Sequence, residues 1–400
     1  MHPTRLSPAT QRIDTSEREP VYLLRCANGR YITLSTSAHY LFTQINDGVS
    51  PAELADRLGR QLGRVVSEQE VQEAYARVRG RVEAIEQRTG RRTIPGMWFR
   101  LRCLPAPAIT WLSRRLSVLI HPVVATVSVV AIVFAMARTA PDSDARHSQM
   151  MDPGASFLPL FGLFVISMLT HELGHATACT RFGARPGDIG LGFYLIFPVA
   201  YSDVSEAWTL SRRQRVVVDL AGVYFQLLTG FVYLIVHHLT GGEVWQLASV
   251  LVFTVALFML LPIFKFDGYW LLADLLGVVN LYRQIPRVFK HTKDRVRRVP
   301  TTRLPWPAWV SVAVLVFGVL STGFLALFGL RLVLIVIGLL QDYPTRVGGL
   351  MRDLSVPPHR PATGRMHTLI GPTYVLLGVG FALTRLATVI VRALRRKGPR

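Results

Sequence analysis

His171-Glu172-Leu173-Gly174-His175 is the stretch of this 400-residue chain best equipped for chemistry. On a helix, residues i and i+4 lie one turn apart on one face, so both imidazoles can grip a single ion. Glu172 stands beside them, where a carboxylate can take a proton from a water that the metal activates. Catalytic zinc uses three protein ligands and an open position, so two histidines leave the set one short. Asp267, in Phe264-Lys265-Phe266-Asp267-Gly268-Tyr269, is the best third ligand, with Gly268 allowing a tight turn that aims the carboxylate inward. Asp274 and Cys179 are weaker candidates, read as a helix-surface residue and a packing thiol. Spacing alone leaves two alternatives open. The histidines could form a polar seam against a neighbouring helix, and Asp267 could cap the next helix.

The elements that must carry these residues are apolar. Half of the chain is hydrophobic, 18% is charged, and the mean hydropathy is +0.33. Soluble chains carry about 25% charged residues, and disordered or collagen-like chains are excluded by the apolar content. Six blocks each qualify as a span of the roughly 20 apolar residues that a crossing needs: 116–137, 155–180, 216–239, 244–264, 306–328 and 368–391. Leu332–Leu340 is too short to cross alone and reads as a continuation or re-entrant piece after a Gly329-Leu330-Arg331 break.

The net charge of +20 is distributed by position. Residues 282–303 carry eight Lys/Arg against one Asp, and the tail from Arg392 carries five cations and no acid. Residues 138–154 carry two Arg and three Asp. Short basic linkers stay inside, so both termini are expected in the cytoplasm, with the chain multi-pass in the cell (inner) membrane. Such placement argues for a lipid bilayer as partner and against nucleic acid. Arg212, Arg213 and Arg215 read as headgroup anchors, and His237 and His238 as interfacial residues. Three widely spaced cysteines (Cys26, Cys103, Cys179) imply no disulfide framework. No apolar run opens the chain, so no cleavable signal peptide is expected.

Residues 1–95 read as a small soluble domain, followed by a basic linker over 96–115 and the membrane body over 116–394. Arg30–Leu34 alternates as a strand after the Asn28-Gly29 turn, and Ser35–Ile45 has a helical apolar face. Ser50-Pro51-Ala52-Glu53 and Ser67 with Glu70 are helix starts. The outline is a β-hairpin followed by three short helices, winged-helix-like. Overall the expected class is mainly α: a polytopic helical bundle with a small N-terminal α+β domain. Between the metal helix and the third block, the glycine-flanked Leu191–Pro198 run suits a re-entrant strand pair, to whose edge an extended substrate could add.

The metal motif in an apolar helix, with Asp267-Gly268 two blocks later, resembles the site-2 protease family of intramembrane zinc metallopeptidases. Phe197-Pro198, Asp203-Val204-Ser205-Glu206-Ala207-Trp208, Arg212-Arg213-Gln214-Arg215 and Pro262–Asp274 are similar to its peptide zinc metalloprotease branch. The resemblance implies His171, His175 and Asp267 as zinc ligands and Glu172 as general base. It departs at Leu261, where the family usually has Asn, and at Gly222-Val223, where it often has Gly-Pro. The front domain is similar to the PqqD-like fold through Tyr31–Ser35, Phe42, Gly48, Leu54-Ala55 and Leu58. That fold holds leader peptides of ribosomal peptide natural products. The expected function is hydrolysis of a precursor peptide or membrane-associated substrate, with leader removal as its specific form. Regulated cleavage of a signalling protein is a rival, as is a non-proteolytic scaffold or peptide-export partner.

Overall fold

The computed structural model describes residues 10–87, 97–138, 153–194, 197–301 and 303–354, with a few separate residues between 373 and 388. It is mainly helical, with two three-stranded sheets. In the front domain β1 (Thr10–Ile13), β2 (Val21–Arg25) and β3 (Tyr31–Ser35) pair antiparallel in that order. Leu24, Ile32 and Leu34 share a buried face because strand side chains alternate. Gly29 turns the β2–β3 hairpin at φ +74°, a region that favours glycine.

Three helices follow where serines can cap them. Ser35 accepts from the Ala38 N–H ahead of α1 (Thr36–Asn46), and Ser50 from Glu53 ahead of α2 (Pro51–Leu62). Ser67 accepts from Glu70 ahead of α3 (Glu68–Glu86). Their apolar faces cover the sheet through Phe42 and Val82, with Leu41, Leu54 and Val71 packed between helices. The structure adds β1 to the expected hairpin, and α3 is long at 19 residues.

Residues 96–115 are not a linker. They contain β4 (Met97–Leu104) and α4 (Ala106–Leu116), and β4 is the outer strand of a sheet completed by β5 (Ile189–Tyr194) and β6 (Phe197–Ser202). β4 pairs with β5 roughly ninety residues further along the chain, with register shifts at Met97/Phe99 and Arg102/Leu104. The β5–β6 pair lies where a strand pair is expected. Gly190 lets β4 and Tyr201 approach, since a Cβ there would sit 2.2 Å from the Leu101 carbonyl oxygen.

The 116–137 block is not one straight helix. α5 (Pro122–Arg138) turns 75° from the α4 direction, at the proline that must begin a new helix. α6 (Pro153–Arg181), α7 (Arg212–Thr240) and α8 (Glu243–Met259) pack together, with α7 also against α9 (Asp267–Leu276). α10 (Leu281–Val296) leads to α11 (Ala308–Leu354). α11 runs through Gly329 and Arg331 without a break, so Leu332–Leu340 is a continuation. One helical glycine costs only about 1 kcal/mol against alanine, too little to interrupt so apolar a run.

Among the described residues two helices, α7 and α11, are long and apolar enough to cross a membrane, or three if the bent α4–α5 pair counts as one. That falls short of the six crossings expected from hydropathy. α8 is apolar but only 17 residues long, α6 carries the polar motif in its second half, and the 368–391 block lies mostly outside the described residues.

Candidate metal centre

α6 presents His171 and His175 on the face that packs against α7. Close approach there depends on two glycines. A Cβ on Gly174 would lie 2.2 Å from the Ala221 carbonyl oxygen, and one on Gly222 would lie 2.3 Å from His175 Nε2. Small residues at such crossings let backbones meet. The outer nitrogens are taken by α7: His171 Nδ1 lies 3.1 Å from Gln226 Oε1 and His175 Nδ1 lies 2.7 Å from the Val218 carbonyl. These acceptors call for Nδ1–H tautomers, which leaves both Nε2 atoms free to ligate.

Asp267 completes the cluster from the first turn of α9. Its side chain does not cap the helix. Gly268 has another role than a special turn: a Cβ there would meet the Leu260 carbonyl oxygen at 2.1 Å, so it packs the α8–α9 connection. The Asp267 carboxylate oxygens lie 2.8 Å from His171 Nε2 and 3.5 Å from His175 Nε2. The two Nε2 atoms are 3.1 Å apart.

Three donor atoms turned toward one another, with both rings tied from behind, suit a metal better than they suit each other. Tetrahedral ligands at about 2.0 Å from zinc stand about 3.3 Å apart, close to these separations. Asp267 Oδ2 is buried and accepts no hydrogen bond despite its short approach to His171, and buried carboxylate oxygens are ordinarily satisfied. The three residues are the group, among those described, that could hold a metal ion.

Glu172 faces a cavity of about 420 Å³ that also reaches His175 and Asp267. Ser202, at the end of β6, donates its hydroxyl hydrogen to Glu172 Oε2. Ala200 and Tyr201 of the same strand, Trp208, Trp270 and Lys265 form other parts of the wall. β6 is the outer strand of its sheet on this side.

Other expectations sort differently. Cys179 is buried at 1% exposure in the apolar core and stands outside the metal group. His237 ends α7 and its Nδ1 lies 3.1 Å from the Gly242 carbonyl, away from the site. Arg215 is not a headgroup anchor, nor is Asp274 a surface residue. Arg215 is buried, donates from Nε to Asp274 Oδ1 at 2.7 Å, and donates from another nitrogen to the Asp14 carbonyl of the front domain at 2.9 Å. Burial has made a pair of what composition reads as separate surface charges. Sequence reasoning missed Gln226, Ser202, the contact made by Gly222, and Asp219, which lines the same cavity as Glu172. Asp219 and Gln226, polar residues within the apolar 216–239 block, were the visible signals.

Comparison with known proteins adds one finding. The chain is 32% identical over 118 residues to the "Putative peptide zinc metalloprotease protein YydH" of Bacillus subtilis (strain 168). The match takes in 29% of this chain and spans about half of the relative, 46% of its length. No protein-family model matches the chain, and no solved structure matches it. The similarity points to a metalloprotease, in agreement with the geometry of His171, His175 and Asp267.

Proposed function

We propose that the chain is a membrane-embedded zinc endopeptidase of the site-2 protease type. The observation that carries this reading is the convergence of two imidazoles and a carboxylate, from separate elements, beside Glu172 at an open cavity. His171, His175 and Asp267 would hold zinc. Zinc supplies Lewis acidity that polarises a scissile carbonyl and brings the pKa of a water toward about 7. Glu172 accepts the proton of the attacking water and returns it to the leaving amine. Ser202 holds the carboxylate on the cavity side until then. The edge of β6 receives an extended substrate as an added strand, which aligns the backbone past Glu172. A polar cavity admits water to a centre otherwise enclosed by apolar helices.

The chain crosses the cell (inner) membrane several times in this reading, with both termini cytoplasmic as the basic 282–303 segment suggests. The front domain is a PqqD-like module that captures a leader peptide and delivers its precursor to the zinc site. Tethering at millimolar effective concentration makes weak recognition sufficient.

The deciding experiment is zinc analysis of the purified protein together with cleavage by Glu172→Gln. Near-stoichiometric zinc, retained by Glu172→Gln while cleavage falls by about 10²–10⁴-fold, is expected. Less than half an equivalent of zinc, unchanged by His171→Ala, would leave a peptide-delivering scaffold as the better description.

A further inference from the structure

A cluster of positive charge lies away from the metal centre, where the front domain, α10 and the start of α11 meet. A cavity of about 560 Å³ there is walled by Arg18, His291, Arg295 and Arg303. No carboxylate lines it, and among the described residues the three arginine side chains have no ion-pair partner. Backbone bonds fix the front-domain wall: Arg18 N–H donates to the Pro305 carbonyl at 2.6 Å and Ser16 N–H to the Gly277 carbonyl at 2.9 Å.

Trp306 also lines the cavity. It is 1% exposed, and its indole N–H has no acceptor. Indole can only donate, and buried donors are ordinarily paired, so an acceptor is wanted at this point. Ala308, the first residue of the 47-residue α11, also lines the space, which brings the positive end of a long helix to it. Thr292, Thr301 and Ser311 add hydroxyls to the wall and Val312 and Leu315 an apolar part, which exposed Val316 and Leu320 continue along α11.

We propose that this cavity binds an anionic phosphate group, with the arginines on its oxygens and the Trp306 N–H donating to one of them. Arginine forks match phosphate oxygens, and their spacing around one cavity gives the anion several donors. The group could belong to a phospholipid headgroup or to a soluble phosphate. The apolar strip of α11 offers a surface for a lipid's chains, which a soluble phosphate does not have. A merely solvated basic face, as at any cytoplasmic linker, would require neither the cavity nor the orphan indole donor.

The test uses the full chain purified in uncharged detergent at fixed ionic strength. Its thermal midpoint is followed against inorganic phosphate, dioctanoyl phosphatidylglycerol and dioctanoyl phosphatidylcholine. A saturable rise with phosphatidylglycerol and not with phosphatidylcholine assigns the site to an anionic headgroup. The same rise with inorganic phosphate assigns it to soluble phosphate. Arg295→Ala with Arg303→Ala, both exposed positions, should weaken the half-saturation point about tenfold or more. Trp306→Phe keeps the ring, removes the N–H and should weaken it as well. If Trp306→Phe fails to fold, the arginine pair decides alone. Equal response to both lipids with none to phosphate overturns the proposal, as does full affinity in either folded variant. No arm reads zinc or cleavage, so the outcome is independent of the metal centre.

Discussion

The front domain and the metal-bearing body use polar residues in opposite ways. In the front domain they sit at the surface and act locally: Arg64 pairs with Glu70 at 2.9 Å and Arg79 with Glu83 at 2.6 Å, all with side chains about half exposed. Such pairs contribute about 0–1 kcal/mol each. Around the metal centre several polar residues are buried and answer a partner on another element. His171 meets Gln226, His175 meets the Val218 carbonyl, and Arg215 meets Asp274. A front-domain charge can therefore be lost at little cost, whereas a lost partner in the body leaves a polar group stranded in an apolar setting. The two regions meet where Arg215 also holds the Asp14 carbonyl and Arg212 N–H donates to Asp14 Oδ2.

That contrast can be broken or sharpened by substitution. The largest effect is expected for His171→Ala or Asp267→Ala, which should remove zinc and cleavage together. A chelator should do the same to the unaltered protein, and added zinc should restore it. Retained stoichiometric zinc in either variant would detach that residue from the metal. Next comes Arg215→Ala, which strands Asp274 and removes one of the bonds that hold the front domain. Breaking a buried pair costs about 3–5 kcal/mol, readable as a lowered unfolding midpoint and faster proteolysis between the two regions. Gln226→Leu keeps the packing volume but frees His171 Nδ1, and a loss of about 10–100-fold in zinc affinity is expected from competition with a chelator. Smallest is Ser50→Ala, which removes the α2 cap for about 1 kcal/mol and should leave zinc content unchanged. A drop in zinc with Ser50→Ala would mean the regions are coupled more tightly than their contacts suggest.

Legibility differs between the regions for the same reason. Ser35, Ser50 and Ser67 each start a helix at the residue the sequence marks, because a cap acts within three residues of chain. The motif from His171 to His175 is likewise local, one turn of one helix. β4 escaped notice because its hydrogen bonds go to β5, far along the chain, and a basic composition disguised it as a linker. Gly222 was noted only as a departure from a familiar pair of residues. Its reason appears when the helices are brought together, with His175 filling the space a side chain would take.

The amino-acid order by itself determined the short-range facts: helix starts, the paired histidines with their glutamate, the apolar blocks and the basic segment after α9. Each follows from interactions that span a turn or two. Only the tertiary structure decided that Asp267 closes on both imidazoles, that Gln226 and the Val218 carbonyl fix the tautomers, and that Arg215 and Asp274 are a buried pair. These depend on distances between elements, set by how closely glycines allow helices to approach, and no local pattern encodes them.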